Sequence, residues 1–113
     1  MKASELRIGN LVNHIRKGPI VVGIMELDFI EKEVLDIEPI PLTKKWLGKF
    51  GFIRIAFEDF DFPNHDFAHF IICHNDYGWT VMLNRQTVIT INHVHQLQNL
   101  YFALTGEELT IKE

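Results

Sequence analysis

The chain has 113 residues, of which 47% are hydrophobic and 23% are charged, and its net charge at pH 7 is −4. This length and composition are typical of a single folded domain, predicted to span residues 1–113, and the lack of a basic excess excludes a protein whose whole surface binds nucleic acid. The single cysteine excludes an intramolecular disulfide, and no apolar run approaches the length of a membrane span, so we expect a cytoplasmic protein without a membrane partner.

The N-terminal third reads as three β-strands. Gly9 and Asn10 form a turn into an apolar strand, and a second turn at residues 16–19 leads into a segment rich in β-branched residues. A third strand, with alternating apolar and acidic residues, follows the charged residues 31–33. The predicted ranges of this three-stranded meander, which also suits a small barrel of the Src-homology-3 kind, are 11–15, 20–27 and 34–40.

A short helix follows at residues 44–50, and both of its ends are specified by local sequence. Thr43 is a favourable N-cap, and Leu42 and Leu47 are spaced as a hydrophobic staple. Gly51 supplies the left-handed residue that commonly ends a helix. A helix of two turns is stable only when it packs against the rest of the protein.

The remaining chain predicts a four-stranded antiparallel sheet and a C-terminal helix. The strands are expected at 52–57, 67–74, 79–83 and 87–91, with a tight turn at Asn75-Asp76-Tyr77-Gly78. Asn92 is the predicted cap of an amphipathic helix that ends at Gly106, and residues 107–111 are expected to add an edge strand. The chain is therefore predicted to be an α+β protein, mainly antiparallel β, with a short central helix and a C-terminal amphipathic helix.

Three stretches of the sequence resemble one family. They are residues 6–10 (LRIGN), the pattern IPLT, WL and FGF within residues 40–52, and residues 94–109 (VHQLQNLYFALTGEEL). Together they resemble a family of small uncharacterised proteins from gut-bacterial genomes and their prophages or mobile elements. The resemblance implies a phage or mobile-element setting, and it implies no activity, cofactor or functional residue.

Histidine and carboxylate residues provide the candidate metal ligands. His65, Asp66 and His69 have a spacing that metal sites use, and on a strand the two histidines share a face. Satisfied or solvent-facing histidines are the alternative account, and we predict no catalytic residue, metal or cofactor. The acidic segment at residues 59–66 departs from the calcium-loop pattern and predicts a surface loop, and Cys73 is expected to be packed in an apolar strand.

Two other groups of residues are candidates for binding a macromolecule. Lys44, Lys45 and Lys49 surround Trp46 on the short helix, which is the one spot with nucleic-acid-binding character. The exposed turn residue Tyr77 and the helix amides Gln96 and Asn99 are the candidates for contact with a protein. Gln98 is predicted to lie with these two amides on the polar side of the last helix, and solvation of that side is the alternative account. Because no catalytic constellation is recognisable, the sequence favours a non-enzymatic protein-interaction module that binds an unknown protein or itself. The alternatives are a nucleic-acid-binding accessory protein and a His-based metal-dependent enzyme.

Overall fold

The computed structural model describes residues 5–26, 37–55, 59–61, 70–83 and 86–111. The chain forms two compact units. Unit 1 comprises Met1–Pro41 and His93–Glu108, and unit 2 comprises Leu42–Asn92 and Leu109–Glu113. The single domain remains a prediction. None of the helices in the described ranges has the length and apolar character of a membrane-spanning segment.

Unit 1 contains a three-stranded antiparallel sheet. Its strands are β1 (Leu11–His14), β2 (Gly18–Val21) and β3 (Ile37–Glu38), in the order β2-β1-β3. The three strands were predicted, but β1 is central, so the chain does not form a simple meander. The second strand was predicted at 20–27, whereas β2 ends at Val21 and residues 24–26 are helical. The outer edge of β2 is poor in donors, because Pro19 has no N–H and the N–H of Gly23 donates to the Glu26 carboxylate at 2.9 Å. Strand β3 therefore pairs with the opposite edge of β1.

The C-terminal helix of unit 1, called αC here, spans Val94–Thr105. It begins at His93 rather than at the predicted cap Asn92, and it ends at Gly106, whose φ is 74°. Its buried face includes Leu97 and Tyr101. A separate apolar cluster in unit 1 consists of Leu6, Val12 and Val22.

Unit 2 begins with the predicted short helix, called αN here, which spans Lys44–Lys49. The hydroxyl of Thr43 accepts a hydrogen bond from the N–H of Trp46 at 3.3 Å, which confirms the predicted N-cap. The N–H of residue 52 donates to the carbonyl of Leu47 at 3.0 Å, and Gly51 has a φ of 86°. The helix ends as the sequence predicts, because its caps depend only on neighbouring residues.

The rest of unit 2 is a five-stranded antiparallel sheet, one strand larger than predicted. Its additional strand, Asp59–Asp61, was expected to be a surface loop, but it pairs with strands on both sides, and Phe60 between the two acidic residues is buried. The order β4-β5-β6-β7-β8 follows the chain. The strands are β4 (Ile53–Arg54), β5 (Asp59–Asp61), β6 (Phe70–Asn75), β7 (Gly78–Leu83) and β8 (Gln86–Ile91).

One face of this sheet holds the apolar core of unit 2. The pairing register places Phe60, Ile72 and Val81 in one row across three strands, and all three side chains are buried. Trp79 lies on the same face and donates its indole N–H to the carbonyl of Leu42 at 2.9 Å, which ties the sheet to the residue that precedes the Thr43 cap. The sheets and helices confirm the predicted α+β class, whereas the described residues 107–111 form no strand.

Candidate functional site

The candidate metal ligands His65, Asp66 and His69 lie outside the described residues. Among the residues that the structure describes, no group of three or more His, Cys, Asp or Glu side chains could hold a metal ion. The metal hypothesis therefore remains a prediction for that segment alone.

The basic helix αN presents its lysines to solvent. Lys44, Lys45 and Lys49 are exposed, and the Nζ atom of Lys49 lies 4.4 Å from the centroid of the Trp46 ring. The Trp46 ring is half-buried and lies 5.9 Å from the ring of Phe50. A nucleic-acid base stacks on an aromatic face. Because Lys49 covers one face of Trp46, stacking on that face would require the lysine to move.

Tyr77 lies at the tip of the β6–β7 hairpin, as predicted, and its side chain is 85% exposed. The turn is held by its own polar groups: the Asn75 side chain accepts from the N–H of Tyr77 at 2.9 Å and donates to Thr80 Oγ1 at 2.7 Å. Gly78 has a φ of 128°, a conformation that suits glycine. The phenol hydroxyl has no hydrogen-bond partner among the described residues. The turn therefore presents an aromatic ring on a backbone that is already ordered.

The helix amides Gln96 and Asn99, predicted to contact a partner, are engaged within unit 1. Gln96 Oε1 accepts a hydrogen bond from the N–H of His93 at 3.0 Å, which caps the first turn of αC. Asn99 Oδ1 accepts from Arg7 Nε at 2.8 Å and from Asn10 Nδ2 at 2.9 Å. A partner that used the Asn99 carbonyl would have to compete with both of these bonds.

A buried pair of amides, Asn10 and Gln98, joins αC to the N-terminal segment, so the prediction that Gln98 lies on the solvated polar side of the helix is wrong. Asn10 is fully buried, and Gln98 is 2% exposed. Gln98 Oε1 accepts from the N–H of Leu11 at 2.7 Å, and its Nε2 donates to the carbonyl of Gly9 at 3.3 Å. The signal was present in the helical spacing, because position 98 lies four residues after buried Val94 and three before Tyr101.

Arg7 extends this network towards the surface. Its guanidinium donates to Glu108 Oε1 at 2.6 Å and to the carbonyl of Gln98 at 3.2 Å, and it lies 4.5 Å from the centroid of the Phe102 ring. A guanidinium with several hydrogen bonds holds the segments that it contacts in fixed positions. The network of Arg7, Asn10 and the amides of αC is therefore internally satisfied, which points to fold stability rather than to an open binding site.

His93 and His95 form a stacked pair at the start of αC, with ring centroids 5.8 Å apart. His95 is 4% exposed, and its Nδ1 atom has no hydrogen-bond partner in the described part of the chain. Burial lowers the pKa of His95, and the charge of His93 lowers it further, whereas Glu5 opposes the shift. The neutral imidazole is therefore the form that the folded unit holds.

Cys73 does not have the environment of a nucleophile. Burial raises the pKa of its thiol to about 11, and a hydrogen bond and the charge of Asp59 act in the same direction. Its Sγ atom lies 3.7 Å from Met82 Sδ. At neutral pH the thiolate is scarce, which agrees with the expected packing role.

Comparison of the chain with protein-family models, with curated proteins and with solved structures gave no match. The functional argument therefore depends on the described side chains themselves. Among the residues predicted to bind a partner, Tyr77 combines high exposure with an ordered backbone, and we treat the β6–β7 turn as the candidate site.

Proposed function

We propose that the chain is a non-enzymatic protein-interaction module of phage or mobile-element origin, and that the β6–β7 turn of unit 2 contacts its protein partner. The observation that carries the proposal is the exposure of Tyr77 on a turn held by Asn75. The sequence resemblance supports the setting, and a single cysteine, which allows no intramolecular disulfide, agrees with the cytoplasm.

Tyr77 has the properties of an interface anchor. Tyrosine supplies a large contact area at a small cost in conformational entropy, because it has only two side-chain torsions. Its ring contributes apolar contact, and its hydroxyl contributes a directional hydrogen bond to the partner. Because the Asn75 side chain already holds the backbone of the turn, binding costs less ordering entropy than it would for a loose loop.

The test places a photo-crosslinking amino acid at position 77 in a bacterial host, with the same amino acid at position 53 as a control. Ile53 is also exposed, at 61%, but it lies on β4. We expect a discrete crosslinked protein from position 77 alone. Tyr77→Ala should weaken binding of that purified protein by at least about tenfold, as truncation of an anchor residue does, whereas Ile53→Ala should not.

The absence of a position-77 crosslink, or equal binding by Tyr77→Ala and wild type, would count against the β6–β7 turn as the interface. The variants should fold alike, because the Tyr77 side chain makes no hydrogen bond to a described residue. Far-UV circular dichroism of each variant checks that assumption.

The alternative function is nucleic-acid binding through αN, and the exposure of Lys44, Lys45 and Lys49 supports it. Fluorescence anisotropy with labelled single-stranded DNA and RNA tests it. Affinity should fall steeply as salt rises, and Lys44→Glu with Lys45→Glu should abolish binding. The third alternative, a metal-dependent enzyme using His65, Asp66 and His69, predicts a rise in melting temperature when zinc is added.

A further inference from the structure

Residues 18–25 of unit 1 carry no charge and expose three large apolar side chains, one at the end of β2 and two in the helical turn that follows it. Val21, Ile24 and Met25 are 60%, 76% and 65% exposed. Ile8 is 55% exposed and precedes Gly9, whose N–H donates to the carbonyl of Val22 at 2.7 Å, so Ile8 lies near the residues that follow β2. We call these four side chains the β2 patch.

The size of the β2 patch suits the centre of a protein–protein contact. At about 100 Å² of exposed surface for each side chain, the four provide on the order of 400 Å². The largest apolar patch on a typical monomer is roughly 300–600 Å² and is often functional, while one partner in a stable interface contributes about 800 Å². The β2 patch therefore supplies about half of one side of such an interface, and a polar rim can supply the remainder.

The charges at the two ends of the segment identify the partner. Arg16 and Lys17 directly precede it, and Glu26 directly follows it. All three residues lie in the described part of unit 1, and the basic pair is exposed. A two-fold axis perpendicular to the segment aligns the segments of two copies antiparallel. In that arrangement the basic end of one copy meets the acidic end of the other.

We propose that the β2 patch is a self-association surface, at which two copies of this chain form a two-fold symmetric dimer. Its apolar centre is Val21, Ile24 and Met25, and its rim contacts run from Lys17 of each copy to Glu26 of the other. Strand pairing is a minor part of the contact, because Pro19 lacks an N–H and the Glu26 side chain holds the N–H of Gly23. The dimer is held by side-chain packing and by the two rim ion pairs.

Sedimentation velocity and light scattering, over a protein concentration range of about 1–100 µM, test the dimer. Wild type should approach twice the monomer mass of 13.2 kDa. Ile24→Lys should raise the dimer dissociation constant at least about tenfold, because a charge would be buried in the apolar centre. Ile53→Lys provides the matched control, since it makes the same change at an exposed isoleucine of unit 2, and it should leave the mass unchanged.

Charge reversal tests the antiparallel arrangement. Lys17→Glu alone should weaken the dimer, since it places two carboxylates together, and adding Glu26→Lys should restore it. Glu26→Lys also removes the carboxylate that accepts from the N–H of Gly23, and the melting temperature of each variant shows whether this loss affects folding. A wild-type protein that is monomeric at about 100 µM would overturn the proposal. Equal weakening of the dimer by Ile24→Lys and Ile53→Lys would also overturn it. So would a Lys17→Glu and Glu26→Lys double variant whose dimer is as weak as that of Lys17→Glu alone. None of these results depends on Tyr77, so the dimer and the proposed function stand or fail separately.

Discussion

The substitution Gln98→Glu tests whether the buried amide pair holds unit 1 together. It replaces one amide nitrogen by oxygen and leaves the shape of the side chain almost unchanged. The new side chain can still accept the hydrogen bond from Leu11, but the atom that donates to the carbonyl of Gly9 becomes a second acceptor. Two oxygens would then face each other at a position that is 2% exposed.

The magnitude follows from two losses. The lost hydrogen bond to Gly9 is worth about 1 kcal/mol, and leaving its partly buried carbonyl without a donor adds roughly 1–3 kcal/mol. We therefore expect Gln98→Glu to lower the free energy of unfolding by about 2–4 kcal/mol at pH 7.5. This is a large part of the roughly 5–15 kcal/mol that keeps a typical domain folded.

The loss should depend on pH. A protonated glutamic acid carries an O–H that can donate to the Gly9 carbonyl in place of the amide, so folding raises the pKa of this carboxyl above its ordinary value of about 4.3. The folded variant then binds a proton at a higher pH than the unfolded chain does. Its stability relative to wild type should increase as the pH falls from 7.5 to 5.5, which urea unfolding followed by far-UV circular dichroism measures.

Gln96→Glu is the matched control on the same helix. Glutamate at this position keeps the acceptor for the N–H of His93, and a negative charge is favourable in the first turn of a helix. Its stability should lie within about 0.5 kcal/mol of wild type. Equal stability of the two variants at pH 7.5, or a Gln98→Glu deficit that does not change with pH, would refute the assigned role of the buried amides.

Two further predictions concern the turn of unit 2 and the buried histidine of unit 1. Gly78→Ala should lower the free energy of unfolding by about 1–3 kcal/mol, because φ is 128° and the added Cβ would collide with Asn92 Oδ1. Gly48→Ala is the control, since Gly48 lies in αN with open space around it, and it should raise the free energy of unfolding by up to about 1 kcal/mol. Thermal melts compare the two variants. Burial lowers the pKa of His95, so as the pH falls the unfolded chain binds a proton near the ordinary pKa of 6.5, before the folded chain does. The stability that neutral His95 contributes is therefore fully present above that pH and is lost as the pH falls below it. When the pH is lowered from 7.5 to 5.5, the midpoint of urea unfolding should fall less for His95→Leu than for wild type. An equal fall in both proteins would contradict the role assigned to His95.

The parts of the fold that depend on neighbouring residues were predictable from the sequence. Thr43 and Gly51 define both ends of αN, and the turn at Asn75 to Gly78 places Tyr77 at a hairpin tip. The candidate interaction residue Tyr77 could therefore be found before the structure was known, because turn chemistry alone puts it at the surface.

The parts that depend on distant residues were not predictable in this way. Asp59 and Asp61 have low strand propensity, so their segment looked like a loop, yet pairing with β6 overrides that preference. Likewise Asn10 and Gln98 are polar, and polarity predicts a solvent-facing position. Their burial is favourable only because residues 88 positions apart meet and satisfy each other.

The stretches that carry the family resemblance are explained by folding. Asn10 of LRIGN hydrogen-bonds to Asn99 of the C-terminal stretch, and Arg7 pairs with Glu108 within unit 1. In the central stretch, Thr43 caps αN. A ligand that used these polar groups would have to displace bonds that already satisfy them, at a cost of about 1 kcal/mol or more for each bond.

The main exposed side chains that do not take part in these hydrogen bonds lie outside the three stretches that carry the resemblance. They are Tyr77 on the β6–β7 turn and Val21, Ile24 and Met25 of the β2 patch, whereas Ile8, the remaining member of the β2 patch, lies within LRIGN. Sequences that share those stretches are therefore expected to share the fold of unit 1 and the start of unit 2, and we expect residues at these two surfaces to determine their partners. Exchanging the turn at residues 75–78 between two such sequences should exchange the partner and leave stability nearly unchanged.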